Sequence, residues 1–63
     1  MGNIVITSKE SYPFHEAVKS VSSDVHIRER ANFVIWEFTR VDEAIRCARL
    51  FMSLGFEYVQ REA

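Results

Sequence analysis

The sequence predicts a small α+β domain, because hydrophobic residues recur with two different periods along one short chain. In two segments apolar residues repeat every three to four positions, which is typical of amphipathic helices. Elsewhere they alternate with polar residues or form short β-branched runs, which favours strands. A chain of 63 residues with 48% hydrophobic and 27% charged residues has the composition of a globular protein. We therefore expect a single domain over residues 1–63.

The first part of the chain predicts a strand followed by a short helix. Ile4, Val5 and Ile6 form a β-branched run that favours a strand. Ser11 is a candidate N-cap, and Pro13 falls in the first helical turn, where its missing N–H costs nothing. Apolar residues then recur at i, i+3, i+4 and i+7, and they are Phe14, Ala17, Val18 and Val21. This spacing predicts a helix with one apolar stripe.

The middle of the chain predicts a β-hairpin. From Val25 the period becomes two, because Val25 and Ile27 alternate with His26, Arg28 and Arg30. Residues 31–32 are the predicted reversal, and residues 33–38 are the most β-prone segment of the chain.

A second helix and a last strand are predicted after the hairpin. Thr39 and Asp42 have the spacing of a capping box at the start of a helix. The predicted apolar face of this helix comprises Val41, Ala44, Ile45, Ala48, Phe51 and Met52. Gly55 is a natural C′ residue. The last strand is predicted from Phe56, Tyr58 and Val59.

The order of these elements, βαββαβ, predicts the ferredoxin-like (split βαβ) arrangement. In that arrangement both helices lie on one face of an antiparallel sheet, and the first and third strands are central. The alternative is a three-stranded meander packed on one main helix, with residues 11–21 as a loop or a single turn.

An apolar surface is predicted on the sheet face away from the helices. The side chains assigned to the helix-covered face are Ile4, Ile6, Val25, Ile27, Val34, Trp36, Phe38, Phe56 and Tyr58. The opposite face then carries Val5, Phe33, Ile35 and Val59, surrounded by His26, Arg28, Arg30, Glu37, Glu57 and Arg61. An apolar centre with an arginine-rich rim is typical of protein–protein interfaces. The alternatives are a small sheet with a few half-exposed apolar residues, or a register slip that inverts the faces.

The candidate partner-binding residues are therefore Val5, Arg28, Arg30, Phe33, Ile35, Val59 and Arg61. Catalysis is not predicted, because Cys47 with His15 or His26 is the sole nucleophile–base pairing to consider. Cys47 lies within the second helix beside the apolar stripe, which indicates a packing role. We expect no metal and no cofactor, since His and Cys residues lack metal-ligand spacing. An internal disulfide is excluded because Cys47 is the single cysteine.

The predicted function is that of a small non-enzymatic interaction module, an accessory or regulatory protein of phage or mobile-element type. Small domains without disulfides or metals often gain stability by oligomerisation, so we expect a homodimer or another homo-oligomer. A net charge of −1 argues against bulk attraction to nucleic acid or membrane. A cytoplasmic location is expected, because the sequence shows neither a leader nor a membrane-spanning run. The alternative is a single-stranded nucleic-acid-binding module that uses the same face, with Arg28, Arg30, Phe33 and Arg61 as contacts.

Overall fold

The computed structural model describes residues 2–62, which form one four-stranded antiparallel sheet, two α-helices and one 3₁₀ helix. The strands are Ile4–Ser8 (β1), Val25–Glu29 (β2), Phe33–Phe38 (β3) and Tyr58–Arg61 (β4). The α-helices are His15–Val21 (α1) and Val41–Ser53 (α2), and Lys9–Phe14 is the 3₁₀ helix. The predicted small α+β domain is confirmed.

The strand order across the sheet is β2-β3-β1-β4. β1 is antiparallel to both β3 and β4, and β2 is antiparallel to β3. The first and third strands are therefore central, as predicted, and β2 and β4 are the edges. The three-stranded alternative is wrong, because β4 pairs with β1 and residues 15–21 are helical.

The side chains of β1 point the opposite way from the prediction. The register places Val5 opposite Trp36 and Ile6 opposite Ile35. Val5 is completely buried in the core, whereas Ile4 and Ile6 retain partial exposure on the other face. The placement of Val5 on the exposed face, and of Ile4 and Ile6 against the helices, is wrong. A run of three β-branched residues contains no alternation, so pairing with β3 decides which of them is buried.

A buried hydroxyl network fixes this orientation of β1. The Trp36 indole N–H donates a hydrogen bond to Thr7 Oγ1 at 2.7 Å. Ser11 Oγ donates to the carbonyl of Ser8, which leaves Thr7 to donate its own hydroxyl to Ser11. Ser11 therefore lies inside the 3₁₀ helix and does not cap α1, so the predicted N-cap is wrong. A buried indole N–H requires an acceptor, and Thr7 is placed to supply it.

The capping box predicted at the start of α2 is also wrong. Arg40 is the N-cap residue, and no side chain caps the helix there. The Thr39 hydroxyl instead donates to a carboxylate oxygen of Asp24 at 2.9 Å. Asp42 pairs with the Arg40 guanidinium, whose hydrogen bond holds the pKa of Asp42 below its ordinary value. Both predicted capping groups therefore have other partners.

Gly55 ends α2 as predicted. Its φ of 89° lies in the left-handed region that favours glycine. The Gly55 N–H bonds to the carbonyl of Met52, and the Phe56 N–H bonds to that of Phe51 at 2.9 Å. This is a Schellman motif, accompanied by contact between the rings of Phe51 and Phe56. The motif turns the chain from the helix layer back to the sheet edge.

The hydrophobic core lies between the sheet and the helix layer. Its buried residues are Val5, Val18, Val34, Trp36, Phe38, Ala44, Cys47, Ala48 and Phe51. The buried side of α2 is rotated toward Cys47 relative to the prediction, so that Val41 and Met52 are exposed. The Trp36 and Phe51 ring centroids are 5.1 Å apart, which joins β3 to α2.

Candidate functional site on the open sheet face

Within residues 2–62, the helices pack against one face of the sheet and leave the other bare. We call the bare side the open face. Strand alternation and the register place on it Ile4, Ile6, Ser8, His26, Arg28, Phe33, Ile35, Glu37, Val59 and Arg61. The open face spans all four strands and is the candidate functional site.

The centre of the open face is apolar. Ile6 lies opposite Ile35 on one side and Val59 on the other, so the three side chains form a row across β3, β1 and β4. Phe33 and Ile4 lie in the two neighbouring rows, one on each side of this row along the strands. Phe33 is 40% exposed and Val59 is 54% exposed, while the three isoleucines are half-buried by their neighbours. These five residues form a contiguous apolar patch, which we call the apolar patch below.

Charged groups surround the apolar patch at both edges. On the β2 side, Arg28 Nη2 lies 3.0 Å from Glu37 Oε1, and His26 pairs in register with Glu37. On the β4 side, Arg61 lies opposite Ile4. Because both members of the Arg28–Glu37 pair are partly exposed, the pair contributes little to stability, about 0–1 kcal/mol. The arrangement is an apolar centre within a polar rim.

A shallow groove indents one end of the open face. It is lined by Ile6, Thr7, Ser8, Phe33, Gly55, Phe56, Glu57, Tyr58 and Val59. The Schellman motif after Gly55 places Phe56 and Glu57 along its wall. The exposed ring of Phe33 therefore borders a concave surface that a side chain of a partner could enter.

The structure brings most of the predicted site residues together. Arg28, Phe33, Ile35, Val59 and Arg61 share the open face. Their participation in binding stays a prediction.

Two further predicted site residues have different outcomes. Arg30 lies just beyond β2, and its N–H donates to the carbonyl of Phe33 at 2.8 Å, which places it at the edge of the same face. Val5 does not belong to the surface. Ile4 and Ile6 take its place, and the sequence contained a signal for them. Trp36 needs a hydrogen-bond acceptor in the core, which a hydroxyl of β1 can supply, and of Thr7 and Ser8 it is Thr7 that accepts the bond.

The helix layer also carries exposed apolar side chains, but they are arranged differently. Val41 and Met52 lie at opposite ends of α2, and Leu54 follows the helix. Met52 is 58% exposed, close to the 54% of Val59 on the open face. These residues are not joined by strand pairing into a row, and Met52 provides a matched reference for the apolar patch.

Nucleophilic chemistry is not supported at Cys47. Its thiol lies in the core against the sheet, and burial raises its pKa to about 12. The thiolate, which is the reactive form, is therefore scarce at neutral pH. Across residues 2–62, no three His, Cys, Asp or Glu side chains converge in a way that could hold a metal ion. No helix in that range is long and apolar enough to cross a membrane.

Comparison with protein-family models, curated proteins and solved structures yields no significant match to this chain.

Proposed function

We propose that this chain is a small, non-enzymatic interaction module that docks through its open face and self-associates as a homodimer. The contiguous apolar patch is the observation that carries the proposal. Exposed apolar patches bordered by polar residues mark protein interaction sites. A cytoplasmic accessory or regulatory role, of the kind common in phages and mobile elements, fits a docking surface of this type.

The fold supports the proposal by presenting both central strands to a partner. We assign the domain to the ferredoxin-like, split βαβ arrangement. The strand order β2-β3-β1-β4 and the helices between β1 and β2 and between β3 and β4 support this assignment. In this arrangement the helices occupy one face, so the other is free to bind.

The size of the open face suits a second copy of the chain. The molecule measures 24 × 21 × 17 Å. A rectangle of the two largest dimensions has an area of about 500 Å², so complete coverage by a second copy would bury at most about 1,000 Å² for the pair, near the lower limit of specific protein interfaces. Docking would also remove Phe33 and Val59 from water and so add the burial that a domain of this size lacks.

Single-stranded nucleic-acid binding is the second candidate. The exposed Phe33 ring lies near Arg30, and base stacking on an aromatic ring beside arginines is a common mode of single-strand binding. Two observations favour protein docking instead. Arg28 is paired with Glu37, and Glu57 borders the groove next to Phe33, so acidic groups reduce the positive potential of the face.

Substitutions in the apolar patch test the proposed function. We expect Phe33→Asp and Ile35→Arg to retain the native circular dichroism spectrum, because neither residue belongs to the core, and to sediment as monomers where the wild type is dimeric. Met52→Arg changes a more exposed apolar residue in the helix layer and should leave the dimer intact.

Three results would contradict the proposal. The first is a Phe33→Asp protein that is folded and still dimeric, and the second is loss of the dimer in Met52→Arg. The third is binding of a fluorescent oligothymidylate that falls steeply with added salt and is abolished by Phe33→Asp, which would favour the nucleic-acid function.

A further inference from the structure

The strand register arranges the side chains of the open face in three rows that run across the four strands. The two ends of each row, at the β2 edge and at the β4 edge, carry different charges. The row through Ile35 and Ile6 has Arg28 at the β2 edge and Val59 at the β4 edge. The row through Glu37 and Ile4 has His26 and Arg61 at these edges. The row through Phe33 and Ser8 has Arg30 at the β2 edge, because the Arg30 N–H bonds to the carbonyl of Phe33.

Glu57 occupies the β4 edge of the row through Phe33. Tyr58 pairs with Thr7, so one further position along the antiparallel register brings Glu57 opposite Ser8. Glu57 also lines the groove together with Phe33 and Val59. Arg30 and Glu57 therefore lie at opposite ends of one row, both exposed, and neither forms a salt bridge in the part of the chain that the structure describes.

Two sheets that pack face to face keep their strands within about 30° of alignment. In an isologous dimer this alignment leaves two directions for the two-fold axis, one perpendicular to the strands and one parallel to them. An axis perpendicular to the strands, through the row of Ile35 and Ile6, places Arg28 against its own copy in the partner. It also brings Arg30 to the partner's His26 and Glu57 to the partner's Arg61. The two Glu57–Arg61 pairs are attractive, but two Arg28 guanidinium groups that meet across the interface disfavour association.

An axis parallel to the strands, between β3 and β1, exchanges the two edges within each row. Arg30 then meets the partner's Glu57, and the symmetry produces this pair twice. Ile35 meets the partner's Ile6, and Arg28 meets the partner's Val59, so no two arginines meet. His26 faces the partner's Arg61, a contact equivalent to the one that the perpendicular axis makes between His26 and Arg30. The edge charges thus complement each other in this orientation.

We infer that the partner on the open face is a second copy of this chain, related by a two-fold axis parallel to the strands, with Arg30 of each copy paired to Glu57 of the other. The inference rests on the self-association proposed above and deepens it by naming the orientation. The apolar patch supplies the contact area and the Arg30–Glu57 pairs fix the register, while the meeting of the two Arg28 groups disfavours the perpendicular axis.

Charge reversal tests the orientation, with sedimentation equilibrium of the full chain at low ionic strength as the measurement. We expect Arg30→Glu alone and Glu57→Arg alone each to raise the dimer dissociation constant about tenfold, since each turns two attractive pairs into repulsive ones. The double variant Arg30→Glu/Glu57→Arg should return to within about threefold of the wild type, because the pairs are restored with reversed sign. Arg61→Glu/Glu57→Arg serves as the control swap and should remain weakened. Circular dichroism checks that each variant is folded.

Each outcome separates this inference from the function on which it rests. A dimeric wild type whose affinity does not respond to either single reversal would overturn the orientation and leave docking through the open face in place. Rescue by Arg61→Glu/Glu57→Arg in place of the Arg30 swap would overturn it in favour of the perpendicular axis. A monomeric wild type would overturn both proposals.

Discussion

The two faces of one strand, β3, have similar side chains and opposite environments. Val34, Trp36 and Phe38 are buried against the helices, whereas Phe33 and Ile35 lie on the open face. Hydrophobicity alone does not distinguish the two sets. The two sets differ in whether the helices cover them, because the two helices bury one side of the four-stranded sheet and leave the other side bare. Apolar residues beyond what the domain can cover are therefore available for a partner.

The largest difference in stability between the two faces is expected when the same substitution is made at two neighbouring residues of β1, Val5 and Ile6. Val5→Asp places an unpaired carboxylate in the core, which costs several kcal/mol against a total stability of about 5–15 kcal/mol. We expect this variant to be unfolded at 25 °C. Ile6→Asp places the same group on the open face and should give a native circular dichroism spectrum. An Ile6→Asp protein that is also unfolded would contradict the assignment of the faces.

The buried hydroxyl of Thr7 should show a smaller but clear effect. Thr7→Val keeps the shape of the side chain but leaves the Trp36 N–H without its acceptor and Ser11 without a donor, so we expect a loss of about 1–3 kcal/mol in the free energy of unfolding. Thr7→Ser retains the hydroxyl and is the matched control. Urea denaturation followed by tryptophan fluorescence measures both. Equal losses in the two variants would show that the methyl group, and not the hydrogen bond, stabilises the site.

The smallest expected effect concerns the reactivity of Cys47 in the core. Burial raises the pKa of its thiol to about 12, so we expect the native protein at pH 8 to react with iodoacetamide only through unfolding. The folded state also keeps this proton at a pH where the unfolded state loses it, above about 8.5. The contribution of the thiol to stability is therefore complete below that pH and is lost as the pH rises toward 12.

A cysteine on the open face provides the contrast to Cys47. In a Cys47→Ala background, Ile35→Cys should react rapidly in dilute solution and be protected at concentrations where the dimer forms. Rapid labelling of Cys47 in the folded wild type would contradict its placement in the core.

The parts of the fold that the sequence predicted are those whose signals are local. The alternation of Val25 and Ile27 with charged residues defines β2, and the β-branched and aromatic residues of β3 favour a strand. Gly55 marks the end of α2 because the Schellman motif uses residues within one helical turn of it. In each case the determining contacts lie close together in the chain.

Two of the parts that were wrong depend on partners distant in sequence. The orientation of β1 is set by pairing with β3 and by a hydrogen bond from Trp36 to Thr7, 29 positions away. The hydroxyl of Thr39 bonds to Asp24, 15 positions away, instead of capping α2. The prediction of the candidate site was partly wrong for the same reason, because it depended on the orientation of β1. The residues of β3 and β4 were placed on the correct face, while Val5 was assigned to a surface that Ile4 and Ile6 occupy.

The central claim is that the open face binds a second copy of this chain, and the solution mass of the wild type tests it most directly. Light scattering over a range of protein concentrations should show the mass rising from the monomer value of 7.4 kDa toward twice that value. Ile35→Arg, measured in parallel, should remain at the monomer mass throughout. A wild-type mass that stays at 7.4 kDa at every concentration would contradict the account.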